Sequence, residues 1–211
     1  MVAPLKTFET CLQAVNEADS AQGLLDAVEA LADLTDERSI PTLIQVLGFN
    51  NPGAAVAAVD GLIQIGIPAV STLLDKLDGY NYGARAWAIR ALAGIGDPRG
   101  QDLLLDAAAN DFSLSVRRAA ARGLGTIRWA DVPESKRAAA MMRSQTILLQ
   151  VTGDDEWVVR YAAVVGLETL ALQLTATADV IIQCLQRLST DDDTIAVQTR
   201  AQWALEKMGA S

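Results

Sequence analysis

Two short stretches of the 211-residue sequence set aromatic rings beside guanidinium groups. The first holds Tyr80, Tyr82, Arg85, Trp87 and Arg90, within one turn and the helix that follows it. Trp87, Arg90 and Gly94 fall at i, i+3 and i+7, beside a stripe of alanines, and Gly94 leaves room for a planar group near the backbone. The second, Trp157, Arg160 and Tyr161, repeats the pattern in a later helix, just after the acidic run Asp154, Asp155 and Glu156. Guanidinium groups pair bidentately with carboxylates, and aromatic faces receive planar groups. Two acids border the first set. Asp78 precedes the tyrosines and Asp97 closes the segment, and each is a candidate proton donor.

The same residues admit a structural reading. Arg85, Arg117 and Arg160 each lie seven residues before a leucine, namely Leu92, Leu124 and Leu167. An Arg at one repeat position fits a ladder of Asp–Arg pairs between repeats, with Asp97 as one candidate partner. Trp87 fits a packed core equally well. Asp97 before Pro98 fits a helix cap, Asp78 a turn, and Asp154 to Glu156 an acidic helix start. Tyr80 and Tyr82 lie in a turn, where burial accounts for them less well.

Other chemistry is limited by composition. The chain has no histidine, which removes His-based triads, His general bases and His metal ligands. Its two cysteines, Cys11 and Cys184, form no metal-binding spacing and read as buried thiols, with a transient adduct on either as the alternative. No metal and no resident cofactor is expected. The net charge is −9 and the arginines are scattered, so nucleic acid is not an expected partner. The N-terminal segment lacks the charged-then-apolar pattern of a secretory signal. The longest uncharged stretch, 39–59, is broken by Pro and Gly, so no membrane span and a cytoplasmic location are expected.

The elements that must position these residues repeat. Leu62, Leu92 and Leu124 are spaced 30 and 32 residues apart, and Leu167 and Leu205 continue the register at 43 and 38. Each block reads as helix, turn, helix, with apolar residues at i, i+3/i+4 and i+7. Pro41, Pro68 and Pro98 mark helix starts, and Gly66, Gly96 and Gly209 mark helix ends. An earlier pair covers about 5–18 and 20–34, with Ser20 as N-cap. An insertion, 128–142, lengthens one repeat, whose first helix runs to about Val151. One pair cannot bury its apolar face alone, so the expected fold is all-α: a HEAT-like α-solenoid of about five helix pairs, a single domain over 1–211.

Two segments carry a family resemblance. Asp97-Pro98-Arg99, followed by the second helix VRRAAARGLG (116–125), resembles the HEAT-like repeat named after phycobilisome lyases. The segment YNYGARAWAIRALAGIGDPR (80–99) is more specific and is similar to the F-type (beta) subunit of E/F heterodimeric bilin lyases. The resemblance implies a chromophore lyase of the EC 4 class, active with an E-type (alpha) partner. Such pairs bind phycocyanobilin, an open-chain tetrapyrrole, as substrate. They deliver it to a cysteine of the phycocyanin α subunit, forming a thioether to the ethylidene group of ring A. The nucleophile belongs to the acceptor, so this chain needs none. By the same resemblance, Tyr80, Tyr82, Arg85, Trp87, Arg90, Trp157, Arg160 and Tyr161 are expected at the bilin, and Asp78 or Asp97 as its proton source. Relatives that isomerise the bilin look to use a His-Cys motif, absent here. A lyase for phycoerythrobilin, and a non-catalytic HEAT-repeat scaffold or chaperone for phycobiliprotein assembly or breakdown, are the alternatives.

Overall fold

A computed structural model describes residues 7–76, 82–173 and 178–209. Asp78 and Tyr80 lie outside the described residues. Among those described, twelve α-helices and no strands occur: α1 (Phe8–Glu17), α2 (Ala21–Ala32), α3 (Ile40–Val46), α4 (Pro52–Ile65), α5 (Ile67–Lys76), α6 (Tyr82–Ile95), α7 (Gln101–Asn110), α8 (Leu114–Gly125), α9 (Glu134–Val151), α10 (Trp157–Ala171), α11 (Ala178–Asp191) and α12 (Ile195–Lys207). They form six pairs rather than five, because the pair before the first marker leucine adds to the five that Leu62, Leu92, Leu124, Leu167 and Leu205 mark.

Local chemistry sets the boundaries. Thr7 and Thr10 close a capping box at the start of α1, and the Ser20 hydroxyl accepts from Gly23 N at the start of α2. The Asn51 side chain caps α4 through Ala54 N and donates from Nδ2 to Ala21 O at 2.9 Å, tying the starts of α2 and α4 together. Gly66, Gly96 and Gly209 end their helices at φ of 78°, 69° and 68°, a region that favours glycine. The insertion begins with the 3-10 turn Trp129–Asp131, buries Trp129, and feeds the 18-residue α9.

The helices gather into two compact units, Met1–Ile95 and Gly96–Ser211. In the first, Val28, Leu31, Leu43, Leu62, Leu73, Ile89 and Leu92 are sealed from solvent; in the second, Leu104, Leu124, Leu148, Leu167 and Leu185 are. The marker leucines are therefore core residues in both, each fully buried side chain contributing roughly 1.5–3 kcal/mol of burial. Among the described residues no helix is long and apolar enough to cross a membrane.

Candidate functional site

Small residues decide which helices come closest. Between successive pairs, the second helices pack more extensively than the first helices, α2 with α4 and α4 with α6 in the first unit, α8 with α10 and α10 with α12 in the second. The first helices touch less, so second helices form the inner side of each unit. At the α8–α10 crossing a Cβ on Gly125 would sit 2.5 Å from Gly166 O, and one on Gly166 would sit 2.6 Å from Ala121 O. Gly166 is the repeat equivalent of Gly123, and it nests between Ala121 and Gly125. The two helices thus run in step, and equivalent repeat positions lie side by side.

That register defines one face. Counting back ten, six and two residues from each marker leucine selects i, i+4 and i+8 on every second helix. In the first unit the positions hold Tyr82, Ala86 and Arg90 on α6, with Tyr82 and Arg90 exposed. In the second they hold Leu114, Arg118 and Arg122 on α8, Trp157, Tyr161 and Val165 on α10, and Ile195, Thr199 and Trp203 on α12. Leu114, Trp157, Ile195 and Trp203 are all large apolar side chains left exposed, Trp157 at 45% and Trp203 at 53%. Exposed rings on the inner side of a helical repeat mark a surface for a partner or ligand.

Position minus seven does something else. Arg117 donates from Nε and Nη2 to the two carboxylate oxygens of Asp154, at 2.7 and 3.0 Å, and from Nη1 to Asp111 O and Phe112 O. Arg160 repeats this with Asp192, at 2.8 and 3.0 Å, and with Asp154 O and Asp155 O; Nη2 also reaches Asp193 and Thr194 Oγ1. All five donors of Arg160 are engaged. It is 9% exposed and faces the turn of the next pair, so its donors serve the ladder. The acid in each rung is the intra-pair turn residue, not Asp97. Each rung acid also accepts a backbone N–H two residues on, Asp154 from Glu156 and Asp192 from Thr194. For both acids burial is the largest influence and works to raise the carboxyl. The guanidinium and backbone donors together outweigh it and hold the pair below the ordinary carboxylate range.

Asp97 is also a structural residue. It accepts Arg99 N and the Arg99 guanidinium at 2.9 Å each, lies 3.6 Å from Arg128 Nη2, and is 6% exposed. The Arg99 guanidinium, against the opposing effect of burial and with help from Arg99 N, keeps its carboxyl below the usual value. The contacts of Asp97 are those of a local cap at the turn before α7.

The first aromatic set is partly assembled. The Arg90 guanidinium lies 5.5 Å from the Trp87 ring centroid, with Trp87 half-buried and Arg90 exposed. Tyr82 stands 38% exposed at the start of α6, and Arg85 is half-buried one turn later. Gly94 serves packing: a Cβ there would fall 2.3 Å from Cδ1 of Ile63 on α4, so that space is already filled.

The second set gains members that the motif reading did not single out. Trp203 on α12 is flanked by Arg200, 5.4 Å from its ring centroid, and by Lys207 at 4.5 Å. Arg200 also lies 6.0 Å from the Tyr161 ring. Both cations are fixed by buried Glu168, at 2.5 Å for Arg200 Nη2 and 3.1 Å for Lys207 Nζ. Arg200 occupies the repeat position of Trp87, and Trp203 that of Arg90, so the register carried the signal. Among the described residues no group of three or more His, Cys, Asp or Glu side chains could hold a metal ion.

Comparison with known proteins gives a consistent result. Residues 70–168 match the model for HEAT repeats, and residues 24–49 the model for the PBS lyase HEAT-like repeat. A phycobilisome maturation protein of Synechococcus elongatus is 55% identical, over 94% of this chain and 97% of its own. The phycocyanin alpha phycocyanobilin lyase CpcF of a Synechocystis species is 51% identical, over 96% of this chain and 94% of its own. The solved complex of CpcE and CpcF of phycocyanin lyase from Nostoc sp. PCC7120 contains a chain of similar fold. Its TM-score is 0.75 at 46% identity, covering 80% of this chain and 99% of that one.

Proposed function

Because this chain belongs to the family of phycocyanobilin lyase beta subunits, we propose that it works as the smaller subunit of a heterodimeric lyase that attaches phycocyanobilin to a cysteine of the phycocyanin α subunit. The observation that carries the reading is the aromatic row on the inner face of the second helices. In the second unit it holds exposed Trp157 and Trp203 with half-buried Tyr161; the first unit, taken by itself, exposes Tyr82 at the start of α6. A core of aliphatic residues needs no such row. A flat tetrapyrrole does.

The acceptor cysteine supplies the thiol, which adds across the exocyclic ethylidene double bond of ring A. A carbon–sulfur bond forms and the thiol proton is passed on, ending on ring carbon. This chain's part is to hold the pigment in one conformer with ring A open to the acceptor, and the second subunit completes the enclosure. The bilin enters as substrate, with no resident cofactor. The E-type subunit and the phycocyanin α subunit are the protein partners, and the reaction takes place in the cytoplasm. The proton comes from Asp78 or Asp97 of this chain or from the E-type subunit.

Co-expression tests this. The chain, its E-type partner, the phycocyanin α subunit and a phycocyanobilin source should yield an α subunit that keeps its pigment in denaturing gels and fluoresces with zinc. Omitting the chain should abolish the product. An undiminished yield without it would leave only a scaffold role.

A further inference from the structure

We infer that Arg118 and Arg122 form the seat for the two propionates of the bilin, an assignment that rests on the lyase reading above. Both arginines are exposed on the inner face of α8, one helical turn apart. Neither makes a hydrogen bond or ion pair with any described residue. Among the other described arginines, Arg38, Arg117, Arg128, Arg143 and Arg160 make ion pairs, Arg90 and Arg200 lie over rings, Arg137 donates to backbone carbonyls, and Arg187 reaches only Cys184 Sγ at 3.9 Å. What sets Arg118 and Arg122 apart is that they lie one turn apart on the same face of one helix, in a chain of net charge −9. Like charges at i, i+4 repel, so the pair weakens the helix unless an anion lies between them.

The neighbours select the anion. Arg118 stands level with Tyr161 on α10, and Arg122 level with Val165, because Gly166 nests between Ala121 and Gly125 and keeps the helices in step. Trp157 and Trp203 extend the apolar side of the same face over α10 and α12. Glu168 on α10 is buried and held by Arg200 and Lys207, and exposed Glu156, at the start of α10, makes no ion pair with Arg118 or Arg122 among the described residues. Two free cations at one edge and rings at the other match a planar molecule with two adjacent carboxylates and an apolar body. Phycocyanobilin has this shape, since its propionates sit on the two central, neighbouring rings. Held by that edge, the pigment lies across Tyr161 with its outer rings extending over the rows.

The test uses the lyase heterodimer with phycocyanobilin and with its propionate dimethyl ester, which keeps ring A but has no negative charge. The wild-type pair should bind the free acid about tenfold or more tightly than the ester by absorbance titration. Arg118→Gln/Arg122→Gln should lose that preference, binding both pigments with the ester's affinity. Lys136→Gln/Arg143→Gln removes the same charge from first helix α9 and should keep the preference. Failure of the wild-type pair to bind either pigment would sink the lyase reading itself. Retained preference in the Arg118/Arg122 variant overturns the seat alone, as does weakened association with the E-type subunit at unchanged preference, which would make the arginines a protein contact.

Discussion

Arg117 and Asp154 meet through two parallel hydrogen bonds, 2.7 and 3.0 Å long, across 37 residues of sequence. Arg160 and Asp192 do the same across 32 residues. Each rung joins the second helix of one pair to the turn of the next, and each arginine also ties down two carbonyls of its own turn. The series ends at the last pair. Gln198, six residues after Asp192 as Arg160 is after Asp154, donates only to Asp192 O at 2.6 Å. At this position Gln198 keeps the half of the motif that serves its own turn.

Removing one partner of a rung should cost more than removing the terminal glutamine. Arg160→Met leaves Asp192, whose side chain is 4% exposed, without its counter-ion. The expected loss is about 3–5 kcal/mol, as for other broken buried pairs. Gln198→Ala should cost about 1 kcal/mol, one neutral hydrogen bond. Urea unfolding curves compare them. Equal midpoints for the two variants would mean that the ion pair adds nothing beyond one neutral hydrogen bond.

The ladder also sets an acid limit. Asp154 and Asp192 are held below the ordinary carboxylate value in the folded chain, so the unfolded chain takes up their protons first as pH falls. Their stabilisation is complete above the unfolded value, about 3.9, and is lost as pH falls through the folded values. The urea midpoint should therefore be flat between neutrality and about pH 5 and drop below about pH 4. In Asp154→Asn/Asp192→Asn the starting midpoint should be lower and the acid drop shallower. An equally steep drop in that variant would assign acid sensitivity to other carboxylates.

The repeat and its helices were legible because they follow from local rules: leucine period, proline at starts, glycine at left-handed ends. The ladder was legible in part. Arginine periodicity showed a shared role, but its acid partners lie 32 and 37 residues away, and only packing shows that they sit in intra-pair turns rather than at Asp97. Side-chain direction was the main gap. Arg160 and Tyr161 are neighbours in sequence, yet about 100° separates adjacent residues on a helix, so one enters the ladder and the other the inner face. Arg118 and Arg122 were visible only as part of the repeat segment VRRAAARGLG, and Trp203 in no local motif. They emerge only when positions are compared between repeats.

The α8–α10 crossing should tolerate no added carbon. A Cβ on Gly125 would meet Gly166 backbone atoms at 2.5 to 2.9 Å, and backbone cannot rotate away as a side chain can. Gly125→Ala must push the helices apart and loosen the contacts around Leu124 and Leu148. The expected cost is about 1–3 kcal/mol. Gly153→Ala, whose nearest neighbour is 3.5 Å away, is the contrast and should be near neutral. If thermal denaturation gives both variants the same midpoint, the close approach is not a constraint on the fold.

Trp203 offers the cleanest separation of pigment binding from stability. Its ring is 53% exposed, so truncation opens no sealed cavity. Arg200 and Lys207 keep their contacts to Glu168 when the ring is gone, and the helix face stays anchored. Stacking of a planar ring on an aromatic side chain is worth about 1 kcal/mol beyond area burial. Trp203→Ala should therefore weaken phycocyanobilin binding by the heterodimer roughly fivefold while thermal stability stays close to wild type. Trp129→Ala reverses the pattern: that ring is 3% exposed under the insertion, and its loss should unfold the chain earlier without a specific effect on the pigment. Unchanged bilin affinity in Trp203→Ala would remove α12 from the pigment surface and confine it to α8 and α10.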